Sequence, residues 1–305
     1  MKEKFTIYSK YDNLPLSVLV IAPENGAKGI VQLVHGMAER KERYEELMSV
    51  LAEKGYVCVI HDHRGHGESL LCAEDRGFMG DYDGKALVED TLLVCEYIKG
   101  KYPNLPLTLF GHSMGSLIVR CFAQTYDDRI DKLIVCGSPS KNPLAGVAIC
   151  LEKTIRLFCG ARHRSKLLAF LSTGKGDSLF PGEGRNAWLS GNRENVEAYL
   201  ADENCGFRFT CNGYENLFKL LKNTYQSKRY KVNNPTLPIF FMAGEKDPVI
   251  VSEKAWCSAV DFMQEVGYAN LSGRLYKDMR HEIHNELGRG EVYQDILAFI
   301  EGAGI

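Results

Sequence analysis

The chain has 305 residues, of which 45% are hydrophobic and 25% charged, and its formal net charge at pH 7 is -2. These proportions are typical of a globular protein with enough apolar side chains for a sizeable core. A near-zero net charge produces no long-range field that would attract nucleic acid or an anionic membrane, so nucleic acid is not expected as a partner.

The segments that could direct the chain to a membrane or out of the cell are also missing from the pattern. No apolar run approaches the roughly 20 residues that cross a bilayer, and residues 1–10 lack the apolar centre of a secretory signal. The ten cysteines occur singly, without a Cys-x-x-Cys pair, as reduced thiols usually do. We therefore expect a soluble, cytoplasmic protein.

The first 136 residues alternate short apolar segments with amphipathic ones. This alternation predicts a parallel sheet covered by helices. The apolar segments predict strands at 1–10, 16–22, 30–34, 57–60, 107–110 and 132–136, and the amphipathic segments predict helices at 43–54, 85–99 and 114–126.

The alternation stops after the sixth strand and resumes near residue 238. Between them, residues 144–158 and 166–171 have helical spacing, and residues 173–185 are rich in glycine. Beyond them we predict a strand at 239–243, a helix at 252–266, a strand at 271–276 and a helix at 291–300. The chain is thus predicted to form one α/β core, residues 1–137 and 236–305, with a mainly helical cap, residues 138–235, inserted after the sixth strand.

A candidate nucleophile lies where the strand at 107–110 meets the following helix. Gly111-His112-Ser113-Met114-Gly115 is a complete G-x-S-x-G elbow in the strand-turn-helix context that this motif requires. Small residues at Gly111 and Gly115 allow the sharp turn, which lifts the serine hydroxyl above the sheet next to a helix N-terminus. No G-x-G-x-x-G or Walker sequence accompanies the turn, so a phosphate cradle is disfavoured.

A serine nucleophile needs a base, and the base needs a carboxylate that orients its ring. In the expected chain order of serine, acid and histidine, Asp247 follows the strand at 239–243, and His281 follows the last strand. Glu245 is an alternative acid and His284 an alternative base. The motif order therefore predicts a Ser113, Asp247 and His281 triad.

An oxyanion hole requires two backbone N–H donors near the nucleophile. The residue after the nucleophile, Met114, supplies the first, and Met37, after His35-Gly36 at the end of the third strand, supplies the second. A triad with such a hole needs no metal and no organic cofactor, and we expect neither.

A metal alternative comes from His61-Asp62-His63-Arg64-Gly65-His66, whose H-x-H-x-x-H spacing is compatible with a zinc site. The competing interpretation is a structured turn. The metallo-β-lactamase type of site would have an acid where Gly65 stands, so the turn is favoured over the zinc site.

Taken together, these segments resemble the monoacylglycerol lipase and lysophospholipase-like α/β hydrolases, which are grouped with the S33 serine aminopeptidases. The resemblance covers nearly the whole chain. Its motifs are His35-Gly36-Met37-Ala38-Glu39, Asp62 to Ser69, the elbow, Gly244 to Val249, Arg280 to Glu286, and, in the cap, Cys205 to Thr210. In that family the second motif is structural, which explains the histidine cluster without a metal.

The resemblance implies an α/β-hydrolase fold, with a mostly parallel central sheet flanked by helices, and hydrolysis of a fatty acyl ester under a mobile cap. Monoacylglycerol or lysophospholipid-type esters are the expected substrates, and contact with a membrane surface is at most transient and made through the cap. The protein is expected to be a monomer or homodimer. Apolar residues of the predicted cap helix could hold an acyl chain, but most of them are expected to pack against the sheet; they are Leu144, Val147, Leu151, Ile155 and Phe158.

Three other functions remain open at this point. A short-chain carboxylesterase would share the elbow and triad, and a non-catalytic ligand-binding protein would share only the fold. A proline iminopeptidase-like aminopeptidase would need a carboxylate in the cap to meet the substrate ammonium group; the candidates are Glu183, Glu197, Asp202 and Glu203.

Overall fold

The structure, a computed structural model, describes residues 1–80, 82–174 and 176–303. In these residues a single sheet of eight strands has the order β1-β2-β4-β3-β5-β6-β7-β8. Strand β2 pairs antiparallel with both of its neighbours, β1 and β4, and all other neighbouring strands pair parallel. The strands are β1 Lys2–Tyr8, β2 Pro15–Ile21, β3 Gly29–Val34, β4 Tyr56–His61, β5 Leu107–His112, β6 Lys132–Cys136, β7 Ile239–Gly244 and β8 Leu271–Tyr276.

Helices connect the strands and cover the sheet. The predicted mostly parallel sheet flanked by helices is thereby confirmed. The α-helices in the described residues are α1 Glu45–Glu53, α2 Lys85–Lys101, α3 Met114–Tyr126, α4 Ala145–Cys159, α5 Lys166–Thr173, α6 Arg193–Ala201, α7 Cys211–Thr224, α8 Glu253–Glu265 and α9 Arg289–Glu301.

Apolar clusters lie on both faces of the sheet. On one face the sheet packs against α2, α3 and α8, and on the other against α1 and α9. Strands β3 to β5 and β7 are buried along their whole length, as expected of parallel strands with helices on both sides. The sheet is therefore a rigid platform, and the loops at its carboxyl edge are held by a packed core.

The cap contributes no strand within its described residues, and its helices α4 to α7 run between β6 and β7. Helix α4 packs on α7 through the face that carries Ala145, Ile149 and Glu152. The opposite face of α4 therefore points to solvent. Leu151 and Ile155 are half-buried against the apolar core, but the packing expected of Leu144, Val147 and Phe158 is wrong, because these three side chains are exposed.

Differences from the predicted boundaries have simple causes. Helix α2 continues past Gly100 to Lys101, since nothing surrounds Gly100 and a single glycine costs an exposed helix only about 1 kcal/mol. Strand β5 extends through Gly111 to His112 because Gly111 pairs with β3 and β6. In the described part of the chain, no helix has both the length and the apolar character needed to cross a bilayer.

Candidate active site

The turn between β5 and α3 has the close contacts that a nucleophile elbow demands. A Cβ atom on Gly115 would lie 2.0 Å from the Val34 carbonyl oxygen, and one on Gly111 would lie 2.5 Å from the Gly115 carbonyl oxygen. Real Cβ atoms do not approach so closely, so only glycine fits at these two positions. The sharpness of the turn is therefore built into the sequence on both sides of Ser113.

Ser113 occupies a backbone conformation that side chains other than glycine rarely adopt, with φ 53° and ψ -118°. Its N–H donates to the Cys136 carbonyl oxygen at 2.9 Å, which ties the turn to the end of β6. Helix α3 begins at the next residue, Met114. The serine side chain is therefore held at the helix N-terminus, where backbone amides favour negative charge.

Asp247 and His281 are brought together by the loops after β7 and β8. His281 Nδ1 lies 2.9 Å from Asp247 Oδ2, and both side chains are buried. The other carboxylate oxygen of Asp247 accepts a bond from the Val249 N–H at 2.8 Å. Because a carboxylate can only accept here, Nδ1 carries the proton and Nε2 is left as the basic nitrogen.

The charge next to His281 changes its proton affinity. Burial alone would lower the pKa of this imidazole, but the adjacent Asp247 carboxylate outweighs burial and raises the pKa above 6.5. A base with a raised pKa binds the proton of an attacking hydroxyl more strongly. The pair therefore has the properties of a general base with its orienting acid.

The two alternative residues lie elsewhere. Glu245 is exposed and accepts a bond from the Asp278 N–H at 3.3 Å. His284 is fully buried and stacks on the Tyr44 ring, with centroids 4.8 Å apart. Neither nitrogen of His284 has a hydrogen-bond partner among the described residues. Neither residue forms the acid-imidazole pair that Asp247 and His281 form.

The loop after β3 passes over the elbow and carries the second predicted oxyanion donor. A Cβ atom on Gly36 would lie 3.1 Å from Ser113 Cβ, so the loop lies directly against Ser113. Met37 follows, and within the described residues its N–H has no hydrogen-bond acceptor. The Met114 N–H belongs to the first turn of α3, where amides lack intrahelical partners. Two donors are thus available on either side of Ser113.

Two histidines of the 61–66 segment, His63 and His66, support this loop through backbone hydrogen bonds. His66 Nε2 accepts from the Ala38 N–H at 3.1 Å, and its Nδ1 lies 3.1 Å from the Arg64 carbonyl oxygen. An N–H on one side and a carbonyl on the other require a neutral ring with the proton on Nδ1. Burial favours the same form, since it lowers the pKa of His66 to about 4.

His63 completes the support. Its N–H donates to His35 Nε2 at 3.0 Å, and its own Nε2 lies 3.0 Å from the His35 carbonyl oxygen. His35 Nε2 and His63 Nε2 are thus used in backbone hydrogen bonds, whereas His63 Nδ1 and both ring nitrogens of His61 lack a partner among the described residues. In these residues His61, His63 and His66 do not bring three ligand atoms close together. The hydrogen bonds of His63 and His66 favour the structured turn over the zinc alternative.

A cavity of about 270 Å³ lies between the elbow and the cap. Ser113 and His281 both line it, together with the Met37 loop. In the described part of the chain the Ser113 hydroxyl forms no hydrogen bond with His281, a contact that often tightens only when substrate is bound. The cap contributes Ala169, Thr173, Arg185, Asn186, Trp188, Leu189, Tyr199, Gly206, Phe207, Arg208 and Tyr214.

Charged groups around this cavity were not identified from the sequence. Glu39 and Glu282 line it but are buried, and both form ion pairs with Arg43. Arg185 and Arg208 also line the cavity, and both are exposed. Glu39 and Arg208 belong to motifs that the sequence did reveal, but the spacing of these motifs gave no indication of what either side chain faces, and Arg185 lies in a glycine-rich segment with no motif.

The chain is similar to a known protein family and to several of its characterised members. The family model described as serine aminopeptidase, S33, matches residues 25–288. The monoacylglycerol lipase of Mycolicibacterium smegmatis is 26% identical over 282 residues, which cover 92% of this chain and 91% of that protein. The mouse monoglyceride lipase is 26% identical over 274 residues, with 87% of this chain and 79% of the mouse protein covered.

Among solved structures, a thermostable carboxyl esterase from Bacillus coagulans, determined in complex with glycerol, superposes with a TM-score of 0.91. It is 25% identical to this chain, and the alignment covers 99% of this chain and 98% of the esterase. The similarity therefore extends through the cap as well as the sheet.

Proposed function

The chain belongs to the serine aminopeptidase S33 family of α/β hydrolases, and from that premise we propose that it hydrolyses monoacylglycerol or lysophospholipid-type esters through Ser113, His281 and Asp247. Ester hydrolysis agrees with the relatives named above. The observation that carries the residue assignment is the 2.9 Å contact between His281 Nδ1 and Asp247 Oδ2 next to the cavity that Ser113 lines.

In the proposed reaction, His281 Nε2 takes the Ser113 proton as the hydroxyl oxygen attacks the ester carbonyl carbon. The Met37 and Met114 amides donate to the oxyanion of the tetrahedral intermediate. The intermediate collapses to an acyl-enzyme, and His281 gives its proton to the leaving alcohol. Water then attacks the acyl-enzyme by the same route and releases the fatty acid.

The charges around the cavity argue against the aminopeptidase alternative. Among the described residues, none of the four candidate cap carboxylates lines the cavity. Glu183 is paired with Arg280 at 2.7 Å and Asp202 with Arg40 at 2.5 Å, while Glu197 and Glu203 are exposed. Glu39 and Glu282 line the cavity but are paired with Arg43, so the exposed charges that a substrate ammonium group would meet are those of Arg185 and Arg208. We therefore propose a neutral or anionic substrate.

The test is a turnover panel. Monoacylglycerols and p-nitrophenyl esters from acetyl to stearoyl would be compared with aminoacyl anilides, and a fluorophosphonate probe would locate the nucleophile by mass spectrometry. We expect turnover of the esters only, with the label on Ser113. A label on another residue would refute the nucleophile, faster cleavage of anilides would restore the peptidase, and binding without turnover would support the non-catalytic alternative. A short-chain optimum would favour the carboxylesterase.

A specific observation favours lysophospholipids as the second candidate substrate. Arg185 and Arg208 place two exposed positive charges on the cavity wall, where a phosphate head group could be bound. We expect R208Q to lower kcat/KM for a lysophospholipid by about fivefold relative to the monoacylglycerol of the same acyl chain. Arg162, which is exposed and paired with Asp75, is the control, because it does not line the cavity. Equal losses on both substrates would contradict head-group recognition.

A further inference from the structure

A cluster of side chains that can ligate a metal ion lies next to the cavity. His112, Cys136 and His284 each offer one ligand atom, and these three atoms lie within 4.8 Å of one another. His112 and Cys136 are register partners at the ends of β5 and β6, and His284 follows in the loop after β8. All three side chains are buried. The cluster is therefore a consequence of the same strand order that assembles the catalytic loops.

Two independent features indicate that this cluster can accept a ligand. His284 is fully buried, yet both of its ring nitrogens lack a hydrogen-bond partner among the described residues. Buried polar nitrogens without partners are unusual, because they cost free energy that a bound group would recover. His284 also faces His112 edge-on, with ring centroids 4.7 Å apart, so its free nitrogen is close to the other donors.

We propose that His112, Cys136 and His284 form a site for a thiophilic divalent cation, such as Zn²⁺ or Cd²⁺. Imidazole and thiolate are the ligands that these ions prefer. Donor atoms around such an ion are about 3.5 Å apart, so the side chains must close in by about 1 Å. When the metal-sulfur bond forms, the Cys136 S–H bond breaks and its proton leaves to solvent.

The surroundings can accommodate the added charge. Glu39 is buried, and its Oε1 lies 3.5 Å from His112 Nδ1. The thiolate and this carboxylate together balance a divalent ion. The Tyr44 hydroxyl, which lies 3.1 Å from His112 Nδ1, is also 3.0 Å from Glu39 Oε1. It therefore keeps an acceptor if the metal takes the His112 nitrogen.

Metal binding at this position should inhibit catalysis. Cys136 holds the Ser113 N–H through its carbonyl oxygen, and His112 Nε2 lies 3.2 Å from the His281 carbonyl oxygen. A cation that draws in the side chains of His112 and Cys136 pulls on the backbone of the nucleophile and the base. Of the three proposed ligands His112 lines the cavity, but Cys136 and His284 do not, so substrate should not displace the metal or relieve the inhibition.

The first experiment measures the metal directly and does not depend on the proposed function. In a background where the exposed cysteines Cys72, Cys150, Cys159 and Cys257 are serine, Cd²⁺ is titrated and the thiolate-to-cadmium ultraviolet band recorded. We expect C136A to weaken cadmium binding by more than about tenfold, the effect that loss of even an outer-shell partner can have. The matched control is C58A, since Cys58 is equally buried in the same apolar cluster.

A second variant, H284F, tests the site independently in case C136A does not fold. H284F keeps an aromatic ring against Tyr44 and should also weaken the cadmium band. Equal titrations of C136A and its parent, or equal losses in C136A and C58A, would overturn the site.

The second experiment tests inhibition and rests on the proposed function of Ser113. Fluorophosphonate labelling of Ser113 is timed with and without Cd²⁺. We expect labelling to slow in the background protein and in C58A but not in C136A. A Cys136-dependent band with an unchanged labelling rate would overturn the inhibitory role, whereas absence of any labelling without metal would count against the proposed nucleophile instead.

Discussion

The cavity has two sides: a floor, formed by the elbow and the loops after β3, β7 and β8, and a roof, formed by the cap. These two sides are held in place in different ways. On the floor, Asp247 and His281 are buried and joined by a hydrogen bond, and the loop of Met37 is fixed by neutral histidines beneath it. On the roof, the side chains of Leu144 and Phe158 are 64% and 82% exposed. Contacts that fix Asp247, His281 and the Met37 loop are thus buried, while the cap is in part exposed to solvent and also lines the cavity. We infer that changes to the floor alter the rate of the reaction and that changes to the roof alter the choice of substrate or the stability.

The largest expected loss of activity comes from removing the proposed nucleophile on the floor. We expect S113A to lower kcat for an acyl ester by about 10⁵-fold or more, because no other group can form the acyl-enzyme. Steady-state kinetics and fluorophosphonate labelling would measure the loss. The matched change in the roof is S172A, which removes a hydroxyl that donates to the Ala169 carbonyl oxygen and also hydrogen-bonds the Tyr214 side chain, and which should leave kcat nearly unchanged. Substantial activity in S113A would show that Ser113 is not the nucleophile.

The next largest effect is expected from D247N. An amide can donate to Nδ1 and so stabilise the wrong tautomer of His281, which should lower kcat by about 10³–10⁴-fold. The control is E245Q, since Glu245 is exposed and its side chain accepts a hydrogen bond from the Asp278 N–H. Circular dichroism of both variants would verify folding. If E245Q lost more activity than D247N, the acid would have been assigned to the wrong residue.

The pH dependence sharpens the assignment of the base. His281 must be neutral to accept a proton, and Asp247 raises its pKa above 6.5 despite burial. Activity should therefore rise with pH, with kcat/KM changing about tenfold per pH unit below a midpoint that lies above 6.5. The profile should be recorded with a neutral ester whose own charge does not change. A midpoint at or below 6.5 would contradict the contact with Asp247.

The smallest effect concerns the roof alone. Glu152 of α4 is buried, and both of its carboxylate oxygens lack a partner among the described residues. Burial and the nearby Glu215 raise the pKa of Glu152 to about 7. The folded protein then holds this proton where the unfolded chain has lost it, so stability falls as pH rises from about 4.5 to about 7.

E152Q removes this ionisation, and we expect it to raise the free energy of unfolding by about 1–2 kcal/mol above pH 7 and to have little effect below pH 4.5. Urea unfolding on both sides of this interval would measure the difference. The exposed Glu197 of α6 provides the control, E197Q. A stabilisation that did not depend on pH would show that ionisation of Glu152 is not its cause.

Much of the floor could be predicted from sequence because its positions are strained or periodic. Only glycine fits at Gly111 and Gly115, and parallel strands ending at one edge bring Ser113, Asp247 and His281 to the same place. The order of strands and the pairing of His112 with Cys136 could not be predicted, since apolar strand segments do not specify their neighbours.

The roof was harder to predict for a related reason. Apolar residues at helical spacing predicted α4, but spacing does not specify which face meets a partner, and Leu144, Val147 and Phe158 are exposed. The arginines of the cavity wall, Arg185 and Arg208, lie in segments without regular secondary structure, where no periodicity indicates direction. Contacts that depend on how the cap lies on the core leave no local pattern in the sequence.

The left-handed backbone of Ser113 has a consequence for engineering. A non-glycine residue held at φ 53° costs roughly 1–3 kcal/mol, and S113G would recover part of that cost. Under the proposed mechanism, heat resistance and turnover are therefore opposed at this one position. A search for thermally hardened variants that did not also screen for catalysis would enrich an inert protein, so any directed evolution of this chain should select for both properties together.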